Sequence, residues 1–394
     1  MYKKSILISY QAMMVGGSTT SLLGLLYSFD YSRYDVDLLL NTNTGEMLDK
    51  IPDQVNLLPP AYKHPNHRIR KIHSLLSSSY VKAYIQSKAI AKKSCNVMHG
   101  VQYLESQDVI RFREIDKEYD VAIAFLEGIN CKFVANHIKA KKKIAWIHID
   151  YEASGFNPIY DIEAMTHFHH IVTVSSKCRE SFCRSFPSLS DHVHTIENIL
   201  SCKNINNLAN ATVNIEIDKN YINLVSSCRV EFQAKALDRA VSVWSKMNKN
   251  GELDRLRWYI IGDGKDFTQL KQLISDSHLE NHIFLLGKKV TPYPYIKKMD
   301  IFFLPSRFEG KPMSVTEGLI LGIPALVTNY SSAKDQIKDG FSGLVVDNNE
   351  DGIEYGLRYL TQHKDEIETW KFNVKTVDYN DNRPMQQIYD LIEN

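Results

Sequence analysis

Short apolar runs alternate along the chain with segments whose apolar residues recur every three or four positions. In the first half, continuous apolar runs predict strands at residues 5–9, 36–40, 54–58, 121–125, 143–148 and 171–175. In the second half they predict strands at 222–226, 256–261, 283–286, 301–304, 325–328 and 343–346. Such runs are typical of parallel strands covered on both faces, and the segments between them predict crossover helices. The pattern therefore predicts an α/β fold with two Rossmann-like, doubly wound parallel sheets.

The two series of strands are separated by a polar, asparagine-rich stretch without periodicity, residues 201–219. At 394 residues the chain is also too long for one ordinary hydrophobic core. We therefore predict a first domain over residues 1–200, a linker over 201–219 and a second domain over 220–369. Residues 235–248 predict a helix with one apolar stripe, formed by Leu237, Ala240, Val241, Trp244 and Met247.

Composition narrows the class of protein. Lys and Arg total 47 and Asp and Glu total 46, so the charge is balanced and no nucleic-acid partner is indicated. The N-terminus predicts a strand rather than a signal peptide, and no run of about 18 apolar residues is present, so we expect a cytoplasmic protein without a membrane span. The 6 cysteines lack zinc-site spacing, and we predict no metal site.

One stretch has an uneven charge. No acidic residue lies between Asp53 and Glu105, whereas basic residues accumulate over 63–93 among apolar residues at helical spacing. Two interpretations remain open. The stretch forms basic amphipathic helices that bind the inner face of the cell membrane, or it is a solvated basic face above an ordinary core stripe.

The most distinctive stretch is SRFEGKPMSVTEGLILG, residues 306–322. It follows the predicted strand 301–304 and has Pro312 where a helix can begin, because proline is tolerated in the first helical turn. Free N–H groups and the positive end of the helix dipole predict a seat for a phosphate. Glu309 before the helix and Glu317 within it flank this seat, which suits a sugar nucleotide.

Polar residues also follow predicted strands of the first domain, at the edge where ligands of doubly wound sheets bind. Gly16 and Gly17 follow the first strand and allow either close approach to a phosphate or an ordinary tight turn. His148 and Asp150 follow the strand 143–148 and are candidates for the active site, although a structural histidine is the alternative for His148.

In the second domain, Arg229 and Lys235 follow the strand 222–226 and can reach a diphosphate in place of a metal ion. Gly262 allows a tight turn that walls the site, but its GDG triplet is also common in ordinary turns. Main-chain groups near Lys288 can hydrogen-bond a nucleobase edge.

These motifs, in this order, resemble the retaining glycosyltransferases of family 4, which have the GT-B fold. The resemblance rests on Gly-Gly after the first strand, AWIHIDY, SSCR with a lysine six positions later, IIGDG, FLPSRFEG and KPMSVTEG. Its most specific part is the pair of glutamates with seven residues between them. It implies two Rossmann-like domains that face a cleft, with residues 370–394 forming a helix that crosses back to the first domain. FLEG and AWIHIDY are similar to bacterial members that build surface polysaccharides.

The resemblance also implies a role for each site residue. Glu309 would contact the transferred sugar and Glu317 the ribose, while Arg229 and Lys235 would hold the diphosphate. His148 would lie beside the reacting face of the sugar. The phosphate would meet the backbone of Gly16, Gly17, Pro312, Met313 and Ser314. One departure is Ala236, where the family usually has glycine, which puts the tightness of that loop in doubt.

We therefore expect a retaining, metal-independent hexosyltransferase of bacterial surface glycan synthesis. It would move a sugar from a nucleoside diphosphate, UDP, to a lipid-linked saccharide or oligosaccharide. No cofactor is expected, because the nucleotide sugar is a substrate. Two alternatives stay open: a GT-B-like nucleotide-sugar epimerase or phosphorylase, and a non-catalytic nucleotide-binding subunit.

Overall fold

A computed structural model describes residues 3–62, 78–108 and 111–394. The chain divides into two compact units, Met1–Ile199 with Asn382–Asn394, and Leu200–Asp381. Each unit is an α/β domain built around one parallel sheet. The predicted fold class, with two doubly wound parallel-sheet domains, is therefore confirmed.

The first unit contains a seven-stranded sheet with the order β3-β2-β1-β4-β5-β6-β7, and all neighbouring strands are parallel. The strands are β1 (Lys4–Tyr10), β2 (Tyr34–Leu40), β3 (Asn56–Leu57), β4 (Tyr119–Ala124), β5 (Ala140–Ile147), β6 (His170–Thr173) and β7 (Val193–Thr195). The helices that precede the second unit are α1 (Gly17–Ser28), α2 (Ser78–Ser94), α3 (Val97–Asp108), α4 (Ile129–His137), α5 (Ile162–Met165) and α6 (Ser176–Ser185). Only β7, three residues long, was not predicted.

The second unit contains a six-stranded sheet with the order β10-β9-β8-β11-β12-β13, again parallel throughout. The strands are β8 (Ile222–Ser227), β9 (Leu256–Ile261), β10 (Ile283–Gly287), β11 (Ile301–Leu304), β12 (Ala325–Thr328) and β13 (Gly343–Val346). The helices are α7 (Cys202–Leu208), α8 (Phe232–Lys235), α9 (Leu237–Lys249), α10 (Phe267–Asp276), α11 (Tyr293–Ile296), α12 (Met313–Ile320), α13 (Ala333–Gln336), α14 (Glu350–Gln362) and α15 (Lys364–Thr376).

Two segments of the second unit differ from expectation. The segment 201–219, expected to be a linker, contains α7 and places Ile205 and Ala209 in the core. The predicted helix 235–248 is broken at Ala236, which has a left-handed φ of 52° and ψ of 32°. Lys235 therefore ends α8 instead of opening the long helix α9. Alanine rarely adopts this conformation, so the preference of Ala236 itself does not indicate the break; the one indication is the glycine that the resembling family usually has at this position.

The last helix, α16 (Arg383–Glu393), belongs to the first unit. Three of its side chains are buried in that unit's core, Met385, Ile388 and Ile392. At its end, Glu393 accepts hydrogen bonds from Lys4 Nζ at 2.5 Å and from Tyr34 Oη at 2.6 Å. Residues 370–381 remain in the second unit, so the chain returns later than the expected position 370.

Part of the basic stretch lies outside the described residues, namely the segment 63–77 with Lys63, Arg68, Arg70 and Lys71. The rest of the stretch forms α2 and lies in a described part of the chain. Among the helices described, none is both long and apolar enough to cross a membrane.

Ile388→Ala should lower the free energy of unfolding of the first unit by about 2–5 kcal/mol, because it deletes a buried side chain and leaves a cavity. The matched variant Gln387→Ala changes an exposed residue of the same helix and should stay within about 0.5 kcal/mol of the parent. Urea unfolding followed by circular dichroism measures both. Equal effects of the two substitutions would contradict the burial of this face of α16.

Candidate active site

In the second unit the strand order reverses between β8 and β11, which are neighbours although three crossover segments separate them in sequence. Ligands of doubly wound sheets bind outside the carboxyl ends of the strands at such a reversal. The loop and short helix after β8 carry Arg229 and Lys235, and the loop after β11 carries Glu309. The structure thus brings both predicted cations and one predicted glutamate to the same edge of the sheet.

An ion pair joins these two loops. Lys235 Nζ lies 2.5 Å from Glu309 Oε1, which also accepts a hydrogen bond from Ser306 Oγ at 2.6 Å. The Lys235 and Glu309 side chains are only 20% and 10% exposed, so water screens this pair less than a surface pair. Arg229 is exposed on the same β8 loop. This edge of the sheet therefore holds two cations and one carboxylate on two neighbouring loops.

The predicted phosphate seat is the N-terminus of α12. Pro312 is its N-cap, with a φ of −67° and an extended ψ of 114°, and no side chain among the described residues caps the helix. Val315 N donates to Pro312 O at 3.2 Å, so the N–H groups of Met313 and Ser314 precede the first helical bond. Uncapped N–H groups at the positive end of a helix favour an anion.

Side chains from distant parts of the chain fix this seat. Gln336 Nε2 donates to Pro312 O and to Thr316 Oγ1, both at 3.0 Å. Thr328 Oγ1 donates to Ser306 O at 2.6 Å. Ser331 Oγ donates to the main-chain oxygen of Glu309 at 2.9 Å. The end of β12, the loop after it and α13 therefore hold both the glutamate loop and the first turn of α12.

Two further side chains brace the start of the glutamate loop. Arg239 Nη2 donates to Pro305 O at 2.9 Å and to Asn348 Oδ1 at 2.7 Å. Asn348 Nδ2 in turn donates to Arg307 O at 3.0 Å. Neither Arg239 nor Asn348 belongs to a sequence motif, and both lie far from 306–317 along the chain, so no local pattern indicates their role.

Glu317, in the second turn of α12, is buried, and its Oε1 accepts a hydrogen bond from Tyr293 Oη at 3.0 Å. Burial raises the pKa of the Glu317 carboxyl to about 7, and the bond from Tyr293 offsets only part of that rise. Glu317 is thus a hydrogen-bonded carboxyl that changes charge near neutral pH.

The sequence predicts that Gly262 forms a wall of the ligand site, but in the structure Gly262 lies against the main chain of Cys228. Gly262 has a φ of 145°, and a Cβ there would lie 1.9 Å from the main-chain oxygen of Cys228. The missing side chain is therefore required by the loop after β8, whereas a contact of Gly262 with a ligand stays a prediction.

Lys288 follows β10 and is exposed. Lys265, after the same glycine triplet, pairs with Glu231 at 2.7 Å.

In the first unit the strand order reverses between β1 and β4. Gly16 and Gly17 follow β1, where Gly16 is the N-cap of α1 with an extended φ of 175° and no side-chain cap is present among the described residues. A Cβ built on Gly16 would meet no atom within 4 Å. The backbone at Gly16 is therefore open to close approach, as predicted for a phosphate contact.

His148 lies at the end of β5 with its ring edge-on to Phe125. Burial lowers the pKa of the His148 imidazole to about 4, and the main-chain oxygen of Phe125 offsets part of that fall. His148 Nε2 is buried and has no hydrogen-bond partner in the described structure. The ring is therefore neutral at pH 7 and keeps one nitrogen that can accept a hydrogen bond.

Asp150 has a structural role instead. Its Oδ1 accepts hydrogen bonds from Ser181 Oγ at 2.6 Å and from Ala153 N at 3.1 Å. Burial would raise the pKa of Asp150, but these bonds and nearby Lys177 outweigh it and leave the pKa below its usual value. Asp150 thus stabilises the turn after His148 as an ionised carboxylate.

Comparison with known proteins gives a family match for the second unit. Residues 210–376 match the family model of group 1 glycosyl transferases. The chain is 32% identical over 141 residues to the poly(glycerol-phosphate) alpha-glucosyltransferase of Bacillus subtilis, which is 35% of this chain and 20% of that protein. It is 32% identical over 92 residues to the UDP-Gal:alpha-D-GlcNAc-diphosphoundecaprenol alpha-1,3-galactosyltransferase of Escherichia coli, which is 23% of this chain and 24% of that protein. It also matches an uncharacterised glycosyltransferase of Methanocaldococcus jannaschii, at 25% identity over 39% of this chain and 37% of that protein. The matches thus span little more than a third of these relatives at most.

Solved structures match over the whole chain. A mutant of Staphylococcus aureus TarM in a complex that includes UDP has a TM-score of 0.70 and 13% identity, covering 100% of both chains. Anabaena HepE in complex with UDP-glucose has a TM-score of 0.65 and 12% identity, covering 99% of this chain and 98% of that one. At these identities the likeness shows the fold alone, and the fold is GT-B.

Glu317 makes the stability of the second unit depend on pH. Its pKa of about 7 in the folded chain lies above the ordinary value of 4.5, so between these pH values the folded state binds more protons and its stability falls as pH rises. Glu317→Gln removes this loss, and from pH 5 to pH 8 it should gain on the order of 3 kcal/mol relative to the parent. Urea unfolding at both pH values measures the difference. Exposed Glu350→Gln is the control and should show no such gain; a flat difference for Glu317→Gln would contradict the raised pKa.

Proposed function

We propose that the protein is a group 1 glycosyltransferase of bacterial surface glycan synthesis that retains the configuration of the transferred hexose. The donor is a nucleoside-diphosphate sugar with UDP as the nucleotide, and the acceptor is a lipid-linked saccharide. The observation that carries this proposal is the Lys235–Glu309 ion pair beside the uncapped N-terminus of α12. Cations and N–H groups suit a diphosphate, and a carboxylate next to them suits sugar hydroxyls.

The family match over 210–376 supports this proposal, because it covers all of these residues. Two of the matched relatives are named as a glucosyltransferase and as a galactosyltransferase that uses UDP-Gal. Both relatives act on glycerol-phosphate polymer or diphosphoundecaprenol-linked acceptors, as their names state. The UDP and UDP-glucose complexes among the similar folds agree with a UDP-sugar donor.

Chemistry at this edge consists mainly of charge stabilisation. When the bond from the sugar to the diphosphate breaks, negative charge grows on the leaving oxygen, and preorganised cations and N–H groups lower that barrier. Lys235 leaves Glu309 and binds the diphosphate together with Arg229. Glu309 then accepts hydrogen bonds from the hydroxyls of the sugar, and Glu317 accepts from the ribose. No metal ion is needed in this scheme, since Lys235 and Arg229 supply the positive charge.

Binding of UDP should depend on the two cations. Arg229→Ala and Lys235→Ala should each weaken UDP binding at least about tenfold, because each removes a charge-assisted hydrogen bond to phosphate. Lys265→Ala is a matched control, since Lys265 lies near the same loop but pairs with Glu231 at the surface. Isothermal titration calorimetry with UDP measures all three variants.

The same titration separates the glutamates from the cations. Glu309→Gln should bind UDP at least as tightly as the parent, because Lys235 no longer has to leave a carboxylate. Its turnover of UDP-glucose, UDP-galactose and UDP-N-acetylglucosamine should fall by roughly a hundredfold or more, as expected for a group that acts on the sugar. Unchanged UDP affinity in both cation variants, together with undiminished turnover in Glu309→Gln, would contradict the site. UDP binding without turnover of any donor would favour a non-catalytic subunit, and interconversion of the donor sugars an epimerase.

The proposed binding to a membrane surface rests on α2 and α3, which pack against each other. Ile85, Lys88 and Lys92 are exposed and share one face of α2 by their helical spacing. On α3, Val97 is 71% exposed. An exposed apolar and basic helix surface binds anionic lipid headgroups through charge and inserted side chains. A lipid-linked acceptor would be reached from such a surface.

Binding to anionic vesicles should fall in the triple variant Lys88→Glu, Lys92→Glu, Lys93→Glu, because it reverses the charge of α2. We expect the parent to sediment with vesicles of phosphatidylglycerol at low salt and the variant to lose about a hundredfold or more of that affinity, at roughly 1 kcal/mol for each of the three basic residues. The control with the same change in charge is Lys203→Glu, Lys219→Glu, Lys249→Glu, three exposed residues of the second unit. Equal binding by all three proteins would show that α2 is ordinary solvated surface.

A further inference from the structure

One half-buried carboxylate at the edge of the first sheet has no role in the scheme above. Glu127 lies in the loop Phe125–Gly128 that leads from β4 to α4. β4 is the strand next to β1 at the reversal of strand order, and ligands of doubly wound sheets bind at that place. Glu127 is also close enough to Tyr10, the last residue of β1, for its charge to raise the pKa of the tyrosine. It therefore lies between the ends of β1 and β5.

Glu127 contacts the residue that presents the unpartnered acceptor. Its Oε2 accepts a hydrogen bond from the main-chain N–H of His148 at 2.9 Å. Two positions earlier in the same loop, Phe125 packs edge-on against the His148 ring, with 5.0 Å between the ring centroids. The loop after β4 thus contacts His148 at two points, its main chain and its ring, while Nε2 has no hydrogen-bond partner in the described structure.

The surroundings of Glu127 destabilise its ionised carboxylate, which packing alone does not explain. Burial raises the pKa of the Glu127 carboxyl, and hydrogen bonds from main-chain N–H groups offset part of the rise. Its neighbour Glu105, whose pKa burial raises to about 7, is 3.5 Å from the buried cation Lys132. Glu127 instead relies on N–H groups, and one of them belongs to His148. A half-buried carboxylate whose pKa is raised, and whose hydrogen bonds come from main-chain N–H groups, is typical of a functional site.

We propose that Glu127 is the positioning residue for His148, and that together they present His148 Nε2 as the acceptor of a hydrogen bond from a substrate hydroxyl. The carboxylate fixes the backbone at His148, so the ring keeps its edge-on contact with Phe125, and the proposed neutral tautomer has its proton on Nδ1. The lone pair of Nε2 then faces the ligand in one orientation. This inference rests on the proposed transfer reaction, in which hydroxyls of the donor sugar or the acceptor are the ligands.

Turnover tests the inference through a double-mutant cycle, measured as release of UDP from UDP-glucose, UDP-galactose and UDP-N-acetylglucosamine. Glu127→Ala should lower kcat about tenfold or more, since small misplacement of a catalytic group has effects of this size. The affinity for UDP should change less than about twofold, because the predicted diphosphate seat lies in the second unit. Glu127→Gln keeps an oxygen that accepts the His148 N–H bond and should restore most of the rate. In the His148→Ala background, Glu127→Ala should cause no further loss.

A spectroscopic measurement judges the inference independently of turnover. In protein labelled with ¹⁵N-histidine at pH 7, His148, assigned from His148→Ala, should show the neutral tautomer with its proton on Nδ1. Glu127→Ala should give a mixture of tautomers, whereas Glu127→Gln should retain the parent signal. Glu105→Gln serves as control, because Glu105 is a half-buried carboxyl of the same unit without a hydrogen bond to His148 among those of the described residues.

Three outcomes would overturn the inference: an unchanged tautomer in Glu127→Ala, full turnover in that variant, or additive effects of Glu127→Ala and His148→Ala. If the parent neither binds UDP nor turns over any donor, the proposed function fails, and the tautomer alone then decides whether Glu127 positions His148. If Glu105→Gln alters the His148 signal as much as Glu127→Ala does, Glu127 acts only by general packing, which also contradicts the inference.

Discussion

The ion pair between Lys235 and Glu309 is the interaction on which the candidate site depends. It joins the loop after β8 to the loop after β11, two strands that are neighbours only because the strand order reverses between them. Two other contacts at this edge hold Glu309 directly. Ser306 donates to the same carboxylate oxygen, and Ser331 holds the main chain of Glu309. The pair keeps a cation and an anion close together where a diphosphate and a sugar would separate them.

Burial gives the charged groups of both units their properties. Glu317 is a carboxyl with a pKa of about 7 because it is buried beside Tyr293, and His148 is a neutral imidazole because it is buried beside Phe125. In each case the ring or carboxyl keeps hydrogen-bonding capacity without a full charge at neutral pH. Such groups recognise hydroxyls well, since a hydroxyl both donates and accepts. The permanent charges, Arg229, Lys235 and Glu309, lie at the edge where phosphate charge would have to be balanced.

The strands of both sheets could be predicted from the sequence, but the side chains that hold the site residues in place could not. Parallel strands that are buried on both faces give continuous apolar runs, and each of the twelve predicted runs ends within about three residues of an observed strand. The break at Ala236 could not be predicted from that residue itself, because a left-handed alanine is held by its surroundings and not by its own preference. Gln336 and Asn348 brace the site across long sequence distances, and Glu127 contacts His148 from another strand. No local pattern encodes such contacts, which exist only once the strands are aligned.

A crystal structure of the protein with bound UDP tests the role of the Lys235–Glu309 pair most directly. We expect phosphate oxygens within hydrogen-bonding distance of Lys235 Nζ and of the N–H groups of Met313 and Ser314, with Lys235 no longer bonded to Glu309. The ribose hydroxyls should contact Glu317. A diphosphate bound elsewhere, with Lys235 still 2.5 Å from Glu309 as in the present structure, would contradict this role for the pair.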